Sequence, residues 1–220
     1  MDVTPESIKE LLSSDDFGQR LRAVNQMRQI DPAIAFGLIQ AAVIDKNVRV
    51  RYAAVSQVAT LGHQDLPTAL AVLLDSLMHD PEPDVQAAAA DSIGALKLTD
   101  AYDELKALYH KTTEWLVQFS IIAALGELGD PRSFELLQDA LGSDNELTRT
   151  AAIGSLGELG DSRAISLLIP YATHPDWQIR YRVVQALGRF DTPDVRTVLA
   201  SMVHDEMKPI AQEAQAFCDR

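Results

Sequence analysis

The sequence predicts an all-α protein, an α-α superhelix of about fourteen helices forming one domain over residues 1–220. Three observations predict it. A motif recurs about every 31 residues, each copy carries apolar residues at helical spacing, and helix caps punctuate the copies.

The copies align from the second helical segment onward. Gln19-Arg20-Leu21-Arg22-Ala23-Val24 leads the series, followed by Val50–Val55, Val85–Ala90, Val117–Ile122, Thr148–Ile153 and Ile179–Val184. Their Arg or Gln anchors stand at 20, 51, 86, 118, 149 and 180, so the spacings are 31, 35, 32, 31 and 31. An aliphatic residue closes each copy at the same offset: Met27, Val58, Ile93, Leu125, Leu156 and Leu187. A degenerate copy, Ile210 to Phe217, lies in a partial C-terminal cap over 204–220.

Apolar periodicity predicts helices over Thr68–Met78, Asn145–Leu159 and Arg163–Tyr171. Thr4-Pro5 and Asp31-Pro32 pair an N-cap residue with proline at the first helical position. Gly129-Asp130-Pro131 reads as a C′ glycine, an N-cap and an N1 proline, and Gly160-Asp161-Ser162 repeats the first two. Small residues such as Ala53-Ala54, Ala87–Ala90, Ala123-Ala124 and Ala151-Ala152 sit on the anchor helices, where neighbouring layers must approach closely. No alternating strand pattern is present.

Composition restricts the partners. The net charge is −13 and no Lys/Arg-rich run occurs, which argues against nucleic acid and against an anionic membrane surface. No apolar run approaches the roughly 20 residues of a membrane span. The N-terminal Met1-Asp2-Val3-Thr4-Pro5-Glu6 has none of the regions of a signal peptide, and the single Cys218 suits a reducing cytoplasm.

The face geometry assigns the motif residues. With the anchor at zero and about 100° per residue, the aliphatics at −1, +3, +4 and +7 form an arc that contains the anchor. The anchor stem is therefore expected between layers, paired with acids of the preceding turns: Asp16, Asp45, Asp80, Asp144 and Asp176. Aromatic residues are few, at 6%, yet Trp115 and Trp177 each precede an anchor by three residues. Phe119 and Tyr181 follow those anchors directly, so each Trp and its partner are i and i+4 and are expected to stack. Tyr52 follows Arg51 in the same way, and Arg182 flanks Arg180. These positions, at the margin of the core arc, suit packing between repeats. They also suit an aromatic edge for a flat carboxylate-bearing ligand or a partner hot spot.

Other chemistry is not encoded. His79, His174 and His204 recur at the ends of second helices, but layers about 10 Å apart cannot share one metal ion, and a helix C-terminus accounts for the histidines. Neither a nucleophile elbow nor a phosphate-binding glycine loop is present.

The stretches Asp176–Val184, Glu114–Phe119 and Asn47–Val55, with Ala-Leu-Gly-Glu-Leu-Gly-Asp at 124–130 and its near copy at 155–161, resemble the HEAT-like repeats of cyanobacterial phycobilin lyases. Chain length and the N-terminal run Thr4–Leu38 are similar to relatives of those lyases that act in phycobilisome degradation under nutrient stress. The resemblance implies phycobiliprotein subunits as partners and assistance to detachment or transfer of their bilins. Phycocyanobilin would be a transient ligand, with no intrinsic cofactor. It further implies a cytoplasmic protein associated with thylakoid-bound phycobilisomes, with a protease adaptor as a further partner. Trp177, Arg180 and Tyr181 match the family motif, Arg51 and Tyr52 match without the tryptophan, and Trp115 and Phe119 match with Gln118 in place of Arg. Two alternatives stand beside this reading: a non-catalytic protein–protein adaptor, and a subunit of a bilin lyase.

Overall fold

The computed structural model describes residues 3–219. Fourteen α-helices and four short 3-10 segments account for its regular structure, with no strand among the described residues. In chain order the helices are α1 (Pro5–Leu12), α2 (Phe17–Gln26), α3 (Pro32–Ala42), α4 (Val48–Leu61), α5 (Leu66–His79), α6 (Pro83–Ala95) and α7 (Tyr102–Lys111). They continue as α8 (Trp115–Leu128), α9 (Ser133–Ala140), α10 (Glu146–Leu159), α11 (Ala164–Leu168), α12 (Trp177–Leu187), α13 (Pro193–Met202) and α14 (Lys208–Cys218). The even-numbered helices carry the anchors, and the fold is the expected all-α solenoid.

The chain divides into two compact units, Met1–Ala124 and Leu125–Arg220. Their boundary falls inside α8 rather than in a linker. In the first unit α4 packs against α2 and α6, and in the second α12 packs against α10 and α14, so anchor helices neighbour anchor helices.

The core follows the aliphatic arc. Val50, Ala54, Val55 and Val58 are fully buried, as are Val85, Ala89, Ala90 and Ile93, and Val117, Ile121, Ile122 and Leu125. In the second unit Ala152, Ile153, Leu156, Val183, Val184 and Leu187 continue the series. Each large aliphatic so buried contributes roughly 1.5–3 kcal/mol relative to exposure. Thr148 occupies a position that is Val or Ile in four sister copies, and its buried hydroxyl lacks a hydrogen-bond partner.

Small residues let the anchor helices approach. A methyl group added at Gly94 would lie 2.8 Å from Ala124 Cα, one at Gly126 2.6 Å from Ser155 Cα, and one at Gly157 2.7 Å from Ala186 Cα. Such distances leave room for no side chain. In the first unit the same rung is bridged by hydrogen bonds, with Gln57 Nε2 donating to the Val24 carbonyl and Ser92 Oγ to that of Val55.

Several boundaries differ from the sequence reading. Thr4 and Asp31 cap α1 and α3 as expected. Gly129 and Gly160 adopt positive φ (67° and 71°). Asp130 and Asp161, however, do not open helices. Each accepts the N–H of Arg132 or Arg163 and is gripped by that guanidinium, so α9 and α11 start only at Ser133 and Ala164. The segment expected as one helix to Tyr171 breaks at Leu168 into a 3-10 turn, because Pro170 offers no N–H to the preceding turn.

Candidate functional site

One device recurs at the start of every anchor helix. The side chain two residues before each N-cap accepts the N–H of that N-cap residue: Ser14, Asp45, Asp80, Thr112, Ser143, His174 and Asp205 act on residues 16, 47, 82, 114, 145, 176 and 207. Six residues after each of the first six stands an anchor. Arg20, Arg51, Gln118, Arg149 and Arg180 each donate to the backbone carbonyl of their own cap residue.

The carboxylate partners come from the following repeat, which corrects the expectation of pairing with the preceding turn. Arg20 grips Asp45 through Nε and Nη2 (2.6 and 3.0 Å), Arg51 grips Asp80 (2.7 and 2.9 Å), and Arg180 grips Asp205 (2.7 and 3.0 Å). The preceding turn supplies carbonyl oxygens instead, because its side chains already serve the helix start. Arg180 completes five contacts with the His174 and Pro175 carbonyls and Glu206. A guanidinium has five N–H donors, so this one is saturated. The side-chain hydrogen bond from Arg180 leads the effects that hold the Asp205 carboxyl below its usual range, against opposing burial. At Asp45 burial is the largest effect and pushes upward, but the Arg20 hydrogen bond and the Asn47 N–H together bring it below that range.

These contacts decide what the sequence-derived site residues can do. Arg180 is 7% exposed and Arg51 is half-buried, both already holding a carboxylate, so neither has a binding edge left for a ligand carboxylate. Trp177 and Trp115 are the first residues of α12 and α8, 41% and 48% exposed, and Tyr52 on α4 is 48% exposed. Tyr181 and Phe119 are half-buried. Neither Trp–aromatic pair forms the expected ring stack among the described residues, where the ring pairs are Tyr109–His110 and Tyr171–His174. Trp115, Phe119, Arg51 and Tyr52 belong to the first unit, and Trp177, Arg180, Tyr181 and Arg182 to the second.

Arg182 opens onto a different feature. In the second unit the rung of small residues Ser155 and Ala186 ends on Phe217 in the last copy, where the ring lies directly over Gly188. A benzyl group cannot enter the space that a methyl fills, so α14 is held away from α12. A groove of about 650 Å³ results, lined by Gly154, Ala186, Gly188 and Phe217. Arg182, Gln185, Arg189, Glu158 and Glu213 supply its polar groups. Arg189 Nη2 lies 3.5 Å from Glu158 Oε1, whereas Arg182 is exposed and enters no ion pair among the described residues. A second cavity of about 600 Å³ flanks the same ring and is lined by Arg189, Phe190, Arg196, Leu199 and Cys218. Sequence reasoning missed this groove, although the replacement of a small residue by Phe217 at one repeat position was its visible signal.

The sequence matches the HEAT-repeat family over residues 70–153 and 139–217, about two thirds of the chain. The chain belongs to the HEAT-repeat family. This HEAT-repeat protein shares its fold with a chain of the complex of CpcE and CpcF of phycocyanin lyase from Nostoc sp. PCC7120. That match is 20% identical with a TM-score of 0.64 and covers 100% of this chain and 95% of that one. A second match, YibA from Escherichia coli, is 18% identical with a TM-score of 0.66, covering 98% of this chain and 81% of the other. At these identities the likeness is one of fold. No curated protein matches the sequence. No helix among the described residues is long and apolar enough to cross a membrane.

Proposed function

We propose that this HEAT-repeat protein is a bilin lyase-like solenoid that engages phycobiliprotein subunits and assists detachment or transfer of their bilin chromophores, acting in phycobilisome degradation. The groove beside Phe217 carries the reading. Its volume is in the range of about 300–1,000 Å³ that small-molecule sites occupy. Phe217 in its lining offers a ring that can stack on a conjugated system, and Arg182 and Arg189 beside it can meet carboxylates such as bilin propionates. The shared fold with the phycocyanin lyase complex supports the same ligand class. Phycocyanobilin would be a transient ligand, and the exposed Trp177 and Trp115 would contact phycobiliprotein surface or a protease adaptor near thylakoid-bound phycobilisomes.

The test mixes the purified protein with chromophorylated phycocyanin subunits and follows visible absorbance and covalent retention of bilin after denaturation. The reading expects bilin to leave the subunit, more slowly with Arg182→Gln. Unchanged spectra and full retention over hours defeat it. A second reading, a non-catalytic adaptor, draws on the exposed Trp115, Tyr52 and Phe17 of the first unit. It expects a stable complex with phycocyanin in which the bilin stays attached.

A further inference from the structure

The ladder of anchors is broken at one rung. Arg149 keeps the inner half of the arrangement, with Nη1 donating to the Ser143 carbonyl at 2.8 Å and the Asp144 carbonyl at 3.4 Å. Its sisters Arg20, Arg51 and Arg180 use Nε and Nη2 to hold an aspartate from the next cap position, at Asp45, Asp80 and Asp205. For Arg149 that position is His174. Elsewhere the sequence matches charge along the series: Gln86 and Gln118 precede Thr112 and Ser143, where no carboxylate waits. Arg149 is the rung where a cation remains and its aspartate does not.

His174 cannot stand in for the missing carboxylate. Its Nδ1 accepts the Asp176 N–H at 3.1 Å, which leaves Nε2 as the ring nitrogen that carries a hydrogen. Tyr171 stacks on the ring, with centroids 6.2 Å apart, and steadies this orientation. The cap position therefore offers an N–H donor in place of an acceptor. Among the described residues no hydrogen bond or ion pair reaches Arg149 Nε or Nη2, and neither is a fully buried atom without a partner.

We propose that Arg149, with His174, forms a binding site for one carboxylate from outside the chain, seated as Asp45, Asp80 and Asp205 are in the sister rungs. A fork-shaped guanidinium edge half-fixed by backbone carbonyls is pre-organised for bidentate carboxylate. The carboxylate is a bilin propionate or an acidic group of a protein partner; the site itself does not depend on the bilin reading of the groove.

The arginine Nε–H signals of the full chain, followed by ¹H–¹⁵N NMR, test this directly. Sodium acetate replaces sodium chloride at constant ionic strength. The Arg149 signal is expected to shift saturably, while those of Arg20, Arg51 and Arg180 stay in place. His174→Asp supplies the carboxylate from within, by analogy with the three sister rungs, and is expected to abolish the response while leaving the fold intact. Absence of a saturable Arg149 shift, or the same shift in His174→Asp, overturns the proposal. Free phycocyanobilin, its propionate dimethyl ester and a glutamate-bearing peptide then separate the two sources. Competition with acetate by free bilin but not its ester identifies the propionate, and competition by the peptide identifies a protein acid. If neither competes, the assignment to these ligands fails.

Discussion

Asp205→Asn is the sharpest perturbation of the anchor ladder. The amide keeps an oxygen for the Met207 N–H, which Asp205 accepts at 2.8 Å, but removes the charge that Arg180 grips at 2.7 and 3.0 Å. Breaking one side of a buried pair costs about 3–5 kcal/mol, because the other charge is left without compensation. Here Arg180 and Asp205 side chains are each 9% exposed, and Arg180 keeps two carbonyls and Glu206, so the lower end applies. A loss of about 3 kcal/mol lowers the melting temperature of a chain this long by about 6–12 °C. Calorimetry and urea denaturation measure it, with the second unit followed separately by Trp177 fluorescence in a Trp115→Phe background. The double variant Arg180→Met with Asp205→Asn keeps the acceptor for the Met207 N–H and is expected to recover most of the loss, since no buried charge is then left without compensation. A melting temperature for Asp205→Asn within about 2 °C of the parent would refute the claim that this pair stabilises the repeat.

Three further outcomes follow from the same geometry. The carboxyls of Asp45 and Asp205 sit below their usual range in the folded chain, so the stability they supply is present above about pH 4 and is lost as pH falls through their folded values; the urea midpoint should hold from neutral pH to about 5 and then drop, less steeply in Asp205→Asn. Thr148→Val replaces a buried hydroxyl without a partner by a methyl group of the same shape, and should raise stability by about 1 kcal/mol in urea unfolding. Phe217→Ala should let α14 settle on Gly188 as Ala186 settles on Gly157, closing the groove and abolishing bilin binding while costing only about 1–2 kcal/mol for the half-buried ring.

Much of the scaffold was legible because the repeat multiplies weak signals. One helix-period pattern is ambiguous, but six copies in register fix the arc, and Val50, Ala54, Val55 and Val58 with their counterparts are buried as that arc requires. The anchors were legible as structural for the same reason. What escaped was direction along the stack. Sequence proximity favours Asp45 as the partner of Arg51, yet that side chain already accepts the Asn47 N–H and holds Arg20, so Arg51 turns to Asp80, 29 residues on. Helix starts at Ser133 and Ala164 were misplaced because Asp130 and Asp161 look like N-caps until the adjacent Arg132 and Arg163 are seen to hold them in a separate turn. Arg182 also lines the groove with Gln185 and Arg189 of α12, a set of neighbours that its place beside Arg180 in the motif does not show. Phe217 carried the plainest signal, a large residue where the four preceding copies have Ser92, Ala124, Ser155 and Ala186, and its consequence becomes visible only when α12 and α14 are placed side by side.

The central claim, that the second unit presents a bilin site held open by Phe217 and charged by Arg182, is tested most directly by titrating phycocyanobilin with the intact protein and following its visible absorbance. The account predicts a saturable spectral change at one bilin per chain, weakened about tenfold or more by Arg182→Gln, as loss of a charge-assisted contact of about 1.5–3 kcal/mol requires. An unsaturable change, or the same affinity in Arg182→Gln and Phe217→Ala as in the parent, would contradict it.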